Sequence, residues 1–341
     1  MRKIKKVLLI LICITITTLG FNGCSKKDEK IKLKVAEVTH SVFYAPQYVA
    51  LNEGFFEQEG LEVELIAAQG ADKTMAALIS GEVDIGFMGP EASIYVYNQQ
   101  SKDYAINFAQ VTKRDGSFLV GREKEEDFKF ENLKGKDVIG GRKGGMPEMT
   151  LEYVIKNNGL NIGKNTNKGE VNVRTDIQFN VMSGAFVAGE GDYVALFEPV
   201  ATALEKEDNK AYIVASIGEE SGEIPYTAYC ATNTYINKNP EIIQKFTNAI
   251  YKGQLYIQNK SSEEIAKSIA PFFADIKMED LIVVVDRYKS IDAWCENPIL
   301  KEDSLNRLMD VMELAKELDK KAPYDKIVTT KFAEEAIKNI K

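Results

Sequence analysis

The chain has 341 residues, 43 of them basic and 51 acidic, for a formal charge of −8 at neutral pH. That balance argues against a nucleic-acid partner, whose binding rests on neutralising phosphates, and the single histidine, His40, argues against histidine-rich metal sites and His-dependent triads. Of the four cysteines, Cys230 and Cys295 stand far apart, which is neither a zinc spacing nor a disulfide framework, so they read as buried thiols.

At the start, Arg2, Lys3, Lys5 and Lys6 precede an apolar run from Val7 to Leu19 that ends in Gly20. This is the layout of a secretory signal, and the run falls short of the ~20 residues that span a bilayer. Phe21-Asn22-Gly23-Cys24 then resembles a bacterial lipobox. Residues 1–23 are therefore expected to be removed, with Cys24 lipidated and residues 24–31 a solvated tether on the outer face of the membrane. What remains is long enough for two lobes with cores of their own.

Leu33 to Val38 alternates like a strand and breaks at Thr39-His40-Ser41. A helix carrying Tyr48, Val49 and Leu51 runs to Gly54, a helix C-terminal residue, and a second strand spans Leu61 to Ala67. Gly70-Ala71-Asp72 opens a helix with Met75, Leu78 and Ile79 on one face, closed by Gly81. A short strand, Val83 to Met88, leads to Gly89-Pro90-Glu91, with Pro90 suited to a helix start. Strand and helix alternate as in a doubly wound α/β lobe. The pattern restarts after Ser117 to Gly121, with strands at Lys136 to Gly140, Val171 to Phe179, Asp192 to Phe197 and Ala211 to Ser216, and a helix over Thr150 to Asn157 after Gly144-Gly145-Met146-Pro147. One α/β pattern is nested inside another. Near Ile224-Pro225-Tyr226 the chain returns, and the tail is helical: Ile243, Phe246, Ile250, Gly253 and Ile257 form one stripe, Ser261 to Glu264 a capping box, and Leu305, Leu308, Met309, Met312 and Ala315 a further amphipathic face that packs on the lobes. The expected division is residues 32–120 plus 225–341 in lobe 1 and 121–224 in lobe 2.

Several short segments carry a resemblance. Glu37-Val38-Thr39-His40-Ser41, Ala45-Pro46-Gln47-Tyr48-Val49-Ala50, Asn52-Glu53-Gly54-Phe55-Phe56, Gly60-Leu61-Glu62-Val63, Ser80-Gly81-Glu82-Val83-Asp84-Ile85-Gly86, Leu133-Lys134-Gly135-Lys136 and Asn239-Pro240-Glu241 resemble the solute-binding proteins of nitrate, sulfonate and thiamine-pyrimidine importers. The resemblance implies a type II periplasmic-binding fold: two α/β lobes with two hinge strands, closing on one small ligand and delivering it to an ABC permease whose ATPase is a separate subunit. No cofactor is implied, no nucleotide-binding loop is present, and a monomer is expected. The thiamine-pyrimidine branch fits best. That branch also resembles a fungal enzyme that makes the thiamine pyrimidine, but the enzyme's cysteine-rich iron-binding motif has no match here, and an export signal would separate such chemistry from its cofactor supply.

In open α/β sheets, ligands bind beyond the carboxyl ends of strands, at loops feeding helix N-termini. By that rule the candidates are His40, Phe43 and Tyr44 after the first strand; Met88, Gly89, Glu91 and Ser93 after the third; and Asp115 and Ser117 at the first crossing. In the second lobe they are Arg142, Gly144, Gly145 and Met146, then Phe179 and Asn180, then Glu198, with Tyr226 at the return crossing. Tyr44 and Phe179 read equally as core, Glu91 as a helix-dipole carboxylate, and Gly144-Gly145 as turn chemistry. Carboxylates in the first helical turn, Glu91 and Glu148, disfavour an anionic ligand, whereas Arg142 and Lys143 favour one. The expectation is an amino-bearing aromatic ring on Glu198, with a sulfonate, nitrate or other small anion as the alternative. Glu198 ahead of Pro199 reads equally as a helix N-terminal carboxylate.

Overall fold

The computed structural model describes residues 30–208 and 211–340; the secretory leader, Cys24 and most of the tether lie outside them. Ten strands and fifteen α-helices are found among the described residues. Five strands, β1 (Ile31–Glu37), β2 (Leu61–Ala67), β3 (Ile85–Met88), β4 (Ala105–Thr112) and β10 (Thr227–Thr232), form one sheet in the order β2-β1-β3-β10-β4. The other five, β5 (Ser117–Gly121), β6 (Asp137–Ile139), β7 (Asn172–Arg174), β8 (Tyr193–Phe197) and β9 (Tyr212–Ser216), form a second in the order β7-β6-β8-β5-β9.

The two sheets share one logic. In the first, β1, β2 and β3 are parallel and β10 is antiparallel to its neighbours; in the second, β6, β7 and β8 are parallel and β5 is antiparallel. Both antiparallel strands are those reached by crossing from the other sheet. A chain that crosses where the parallel strands end must begin its next strand from that end, and so runs it backwards. The crossings are four residues between β4 and β5 and the stretch Gly222 to Tyr226 before β10. The doubly wound α/β reading of the sequence holds.

Helices cover the sheets: α1 (Ala45–Asn52), α2 (Phe55–Gln58), α3 (Ala71–Ser80) and α4 (Glu91–Asn98) follow the first strands, and α5 (Met146–Asn157), α6 (Met182–Val187), α7 (Val200–Asp208) and α8 (Ile217–Ser221) accompany the second sheet. The remainder are α9 (Asn233–Lys238), α10 (Pro240–Asn259), α11 (Ser262–Ile269), α12 (Met278–Ser290), α13 (Glu302–Leu314), α14 (Tyr324–Ile327) and α15 (Lys331–Asn339). With cover on both faces, β3, β5 and β8 are buried at every position, as strands of such sheets must be. The stripe on α10 is buried throughout, and its Gly253 lies so close to α1 that a Cβ there would stand 2.3 Å from the Pro46 carbonyl oxygen. The Ser261–Glu264 capping box forms in both directions. The α13 face is buried as expected.

Three expectations need correction. Ile79 is exposed: the buried face of α3 is Thr74, Met75 and Leu78, and one residue further turns about 100° off that face. The strand expected over Val171 to Phe179 stops at Arg174, and the rest is an irregular loop and a short 3₁₀ turn. Strands β4 and β10, which the sequence reading did not identify, pair antiparallel along the whole of β10.

Candidate functional site

Because β1 to β3 are parallel, their carboxyl ends share one edge, and so do those of β6 to β8; these two edges face each other across a cleft of about 360 Å³. Phe43, Tyr44, Gly89, Glu91 and Tyr226 wall it from the first lobe, and Arg142, Gly145, Met146, Phe179, Asn180 and Phe197 from the second. The aromatic rings pack as a box: Phe43 lies 5.5 Å from Phe197 and 5.6 Å from Tyr226, and Phe179 lies 5.6 Å from Phe197. Phe43 and Tyr226 meet edge to face and the other two pairs are tilted, so this part of the cleft wall is aromatic.

One carboxylate sits among them. Glu91, the first residue of α4, is buried, and its Oε2 has no hydrogen-bond partner. Burial pushes its pKa up to about 7, against the opposing pull of its own backbone N–H, of Arg142, and of the backbone N–H groups of Ala92 and Met146. Gly89 is what lets the side chain fold back, since a Cβ there would meet Glu91 Oε2 at 1.9 Å and Met146 Cγ at 2.8 Å. An unpaired buried carboxylate oxygen costs free energy that a donor from a ligand would recover. The cationic candidate is less free: Arg142 Nε stands 3.7 Å from Asp72 Oδ1, across the cleft.

A profile model described as NMT1/THI5 like matches residues 42–264. This chain belongs to the NMT1/THI5-like family. A Bacillus subtilis (strain 168) relative, named "Putative binding protein YtlA", is 43% identical over 92% of this chain and 92% of its own length. A 4-amino-5-hydroxymethyl-2-methylpyrimidine phosphate synthase of Aspergillus parasiticus is 24% identical over 63% of each chain. Among solved structures, the alkanesulfonate-binding protein SsuA of Xanthomonas axonopodis pv. citri, bound to MOPS, superposes with a TM-score of 0.68 at 14% identity, covering 89% of this chain and 99% of that one. The fold of this NMT1/THI5-like chain is the periplasmic-binding-protein fold.

The remaining candidates sit elsewhere. Glu198, expected to receive the ligand's amino edge, is wholly buried and fully used: Thr202 N donates to Oε2 (2.8 Å), while Thr202 Oγ1 (2.8 Å) and Arg287 Nη1 (2.7 Å) donate to Oε1. It caps α7, the alternative its Pro199 neighbour had left open. His40 is tied to the first lobe, with Nε2 2.8 Å from the Phe272 carbonyl and Nδ1 3.3 Å from Glu37 and 2.9 Å from the Tyr48 hydroxyl. The Tyr48 hydroxyl also reaches Glu37, and the pKa of His40 is raised, chiefly by its own side-chain bond to Glu37. Ser93 is buried against Asn107 in the first lobe. Gly144 is a turn residue with φ of +72°, its carbonyl accepting from Tyr95 and its N–H donating to Glu148. Asp115 lies behind the wall, where Oδ1 accepts from Ser117 N (2.7 Å) and Oγ (2.6 Å) while burial pushes its pKa up to about 7.

The sequence reading missed Thr39, Gln69, Asp72 and Lys73 in the first lobe and Thr175 to Gln178 in the second. The positional rule already pointed to the loop after β2 and the start of α3, which carry Gln69 and Asp72. Overextending the Val171 strand hid the other group.

Proposed function

We propose that this NMT1/THI5-like chain is the extracytoplasmic solute-binding subunit of an ABC importer, without catalytic activity, and that it takes a flat, amino-bearing heteroaromatic of the thiamine-related aminopyrimidine class. The observation that carries the ligand reading is Glu91 Oε2, buried and unpartnered inside an aromatic box contributed by both lobes. Glu91 takes the role first given to Glu198. The binding-protein relative supports capture rather than chemistry, and the pyrimidine synthase supports the ring class. Cys230 and Cys295 are buried outside the cleft wall. A small anion is disfavoured because Asp72 already opposes Arg142 and because an anion beside Glu91 would repel it.

Calorimetry decides between the two ligand classes. The aminopyrimidine 4-amino-5-hydroxymethyl-2-methylpyrimidine is expected to bind with release of heat, and taurine and nitrate to be silent; tight anion binding with an inert pyrimidine would overturn the assignment. The proposal also holds the protein at the membrane through acyl chains on Cys24, since two chains anchor stably where one is marginal. Cys24→Ser should then accumulate as an unprocessed precursor, visible by gel mobility. A shed protein of unchanged mature size would count against the anchor.

A further inference from the structure

Three consecutive residues of one turn in the second lobe are each held by a different element of the first. Arg142 Nε stands 3.7 Å from Asp72 Oδ1 of α3, Lys143 Nζ stands 3.3 Å from Glu317 Oε1 just after α13, and the Gly144 carbonyl accepts from the Tyr95 hydroxyl of α4 at 3.0 Å. Glu317 is tied to the first lobe, because Asn98 Nδ2 of α4 donates to the Lys320 carbonyl (2.6 Å) three residues on. Gly144 lets the two sides come this near: a Cβ there would lie 3.0 Å from Glu317 Oε2 and 3.4 Å from the Tyr95 hydroxyl oxygen.

The contact lies far from the crossings in the order of the strands. Asp72 follows β2, at the opposite edge of the first sheet from β4, where the chain leaves for the second lobe; the turn follows β6, which β8 separates from β5. Toward the crossings the lobes are joined in another way. Arg287 meets the wholly buried Glu198, and the buried Tyr288 hydroxyl accepts from Glu198 N (3.0 Å) and donates to the Gly116 carbonyl (3.1 Å) between β4 and β5. Parting a buried charge from its partner is costly. The ion pairs at the turn are cheap to break, since Asp72, Arg142 and Lys143 are exposed and water can take the place of each partner.

We infer that the turn at 142–144 is a releasable clasp: the lobes part there while α7 and α12 stay together, and ligand enters and leaves on that side. Asp72 and Arg142 both line the cleft, so opening the clasp opens the cleft to solvent. The buried contacts toward the crossings form the fixed side about which the second lobe swings. The clasp serves a ligand of any class, so it stands or falls apart from the ring reading.

Spin-label distances in the empty protein test it. One pair of labels spans the clasp, on Ala76→Cys of α3 and Asn157→Cys of α5; another spans the fixed side, on Ala203→Cys of α7 and Glu279→Cys of α12. All four positions are exposed, and the native Cys230 and Cys295 are buried. Lys143→Met should raise a longer-distance population between α3 and α5 about threefold, within the range that exposed ion pairs command, and leave the α7–α12 distance unchanged. Tyr95→Phe, which keeps the ring and loses the donor, should shift the α3–α5 distribution the same way. If Lys143 acts through Glu317, the Lys143→Met, Glu317→Gln double variant should be no looser than Lys143→Met alone. An α3–α5 distribution indifferent to Lys143→Met, full additivity in the double variant, or lengthening between α7 and α12 would each overturn the clasp.

Discussion

Arg287→Met should destabilise the folded protein by about 3–5 kcal/mol, the cost of leaving a buried charge without its partner. The partner is Glu198, which has no exposed surface, and Arg287 Nη1 is the cation on its Oε1, with Nη2 reaching Glu205 Oε2 at 2.9 Å. Thr202 continues to donate twice to Glu198, so the loss belongs at the lower end of that range. The pair also ties α12, from the C-terminal tail, to α7 of the second lobe, and the Lys206–Asp280 ion pair joins the same two helices. Replacing both partners, as Glu198→Leu with Arg287→Met, should recover most of the loss, because no buried charge then remains. Urea denaturation midpoints of the two single variants and the double variant check this. A single Arg287→Met variant within about 1 kcal/mol of the parent would show that the charge is not held as described. Ligand affinity is expected to follow Glu91, not this pair.

What the sequence showed and hid follows from where each residue's partners come from. The first strand, the turn at Gly54, the second strand and the Ser261–Glu264 box were legible because their determinants lie within a few residues: alternation, a left-handed glycine, a reciprocal cap. Strands β4 and β10 were not. Asn107, Gln110, Thr112 and Thr227 interrupt them with polar groups, and all four are buried, with distant chain bonding to Asn107, Thr112 and Thr227 side chains and to the Gln110 backbone. Asn107 Nδ2 donates to the Ile327 carbonyl, Gln254 Nε2 to the Gln110 carbonyl, and Thr112 and Thr227 bond each other at 2.6 Å. The same reason hid the difference between Glu91 and Glu198. Each follows a buried strand, adjoins a proline and stands at the start of a helix, so local sequence makes them equivalent. An arginine 89 positions beyond Glu198 separates them, and no spacing rule reports it.

Glu91→Gln should weaken aminopyrimidine binding roughly 10- to 150-fold, the worth of a hydrogen bond to a charged group at about 1.5–3 kcal/mol, while making the empty protein more stable in mild alkali. The two effects have one cause. Burial holds the Glu91 pKa at about 7, above its ordinary 4.5, so between those values the folded protein keeps a proton that the unfolded chain has lost. Stability from this group is therefore intact below pH 4.5, falls as pH rises through the window, and levels off above about 7, for a total near ~3 kcal/mol. A glutamine side chain at this position would carry no charge to desolvate, so the variant should lose that slope and gain up to about that amount at pH 8. Asp115, raised to about 7 by burial in the same sense, keeps its own slope in both proteins, and the difference between their melting profiles isolates Glu91. Ligand binding should run the other way with pH. The ionised carboxylate is the acceptor, so affinity of the parent protein is expected to fall up to about tenfold per unit as pH drops below 7, and affinity of the variant to lack that dependence. Melting and calorimetry from pH 5 to 8 measure both. A variant that is less stable at pH 8 and binds the pyrimidine as tightly as the parent would remove Glu91 from the site.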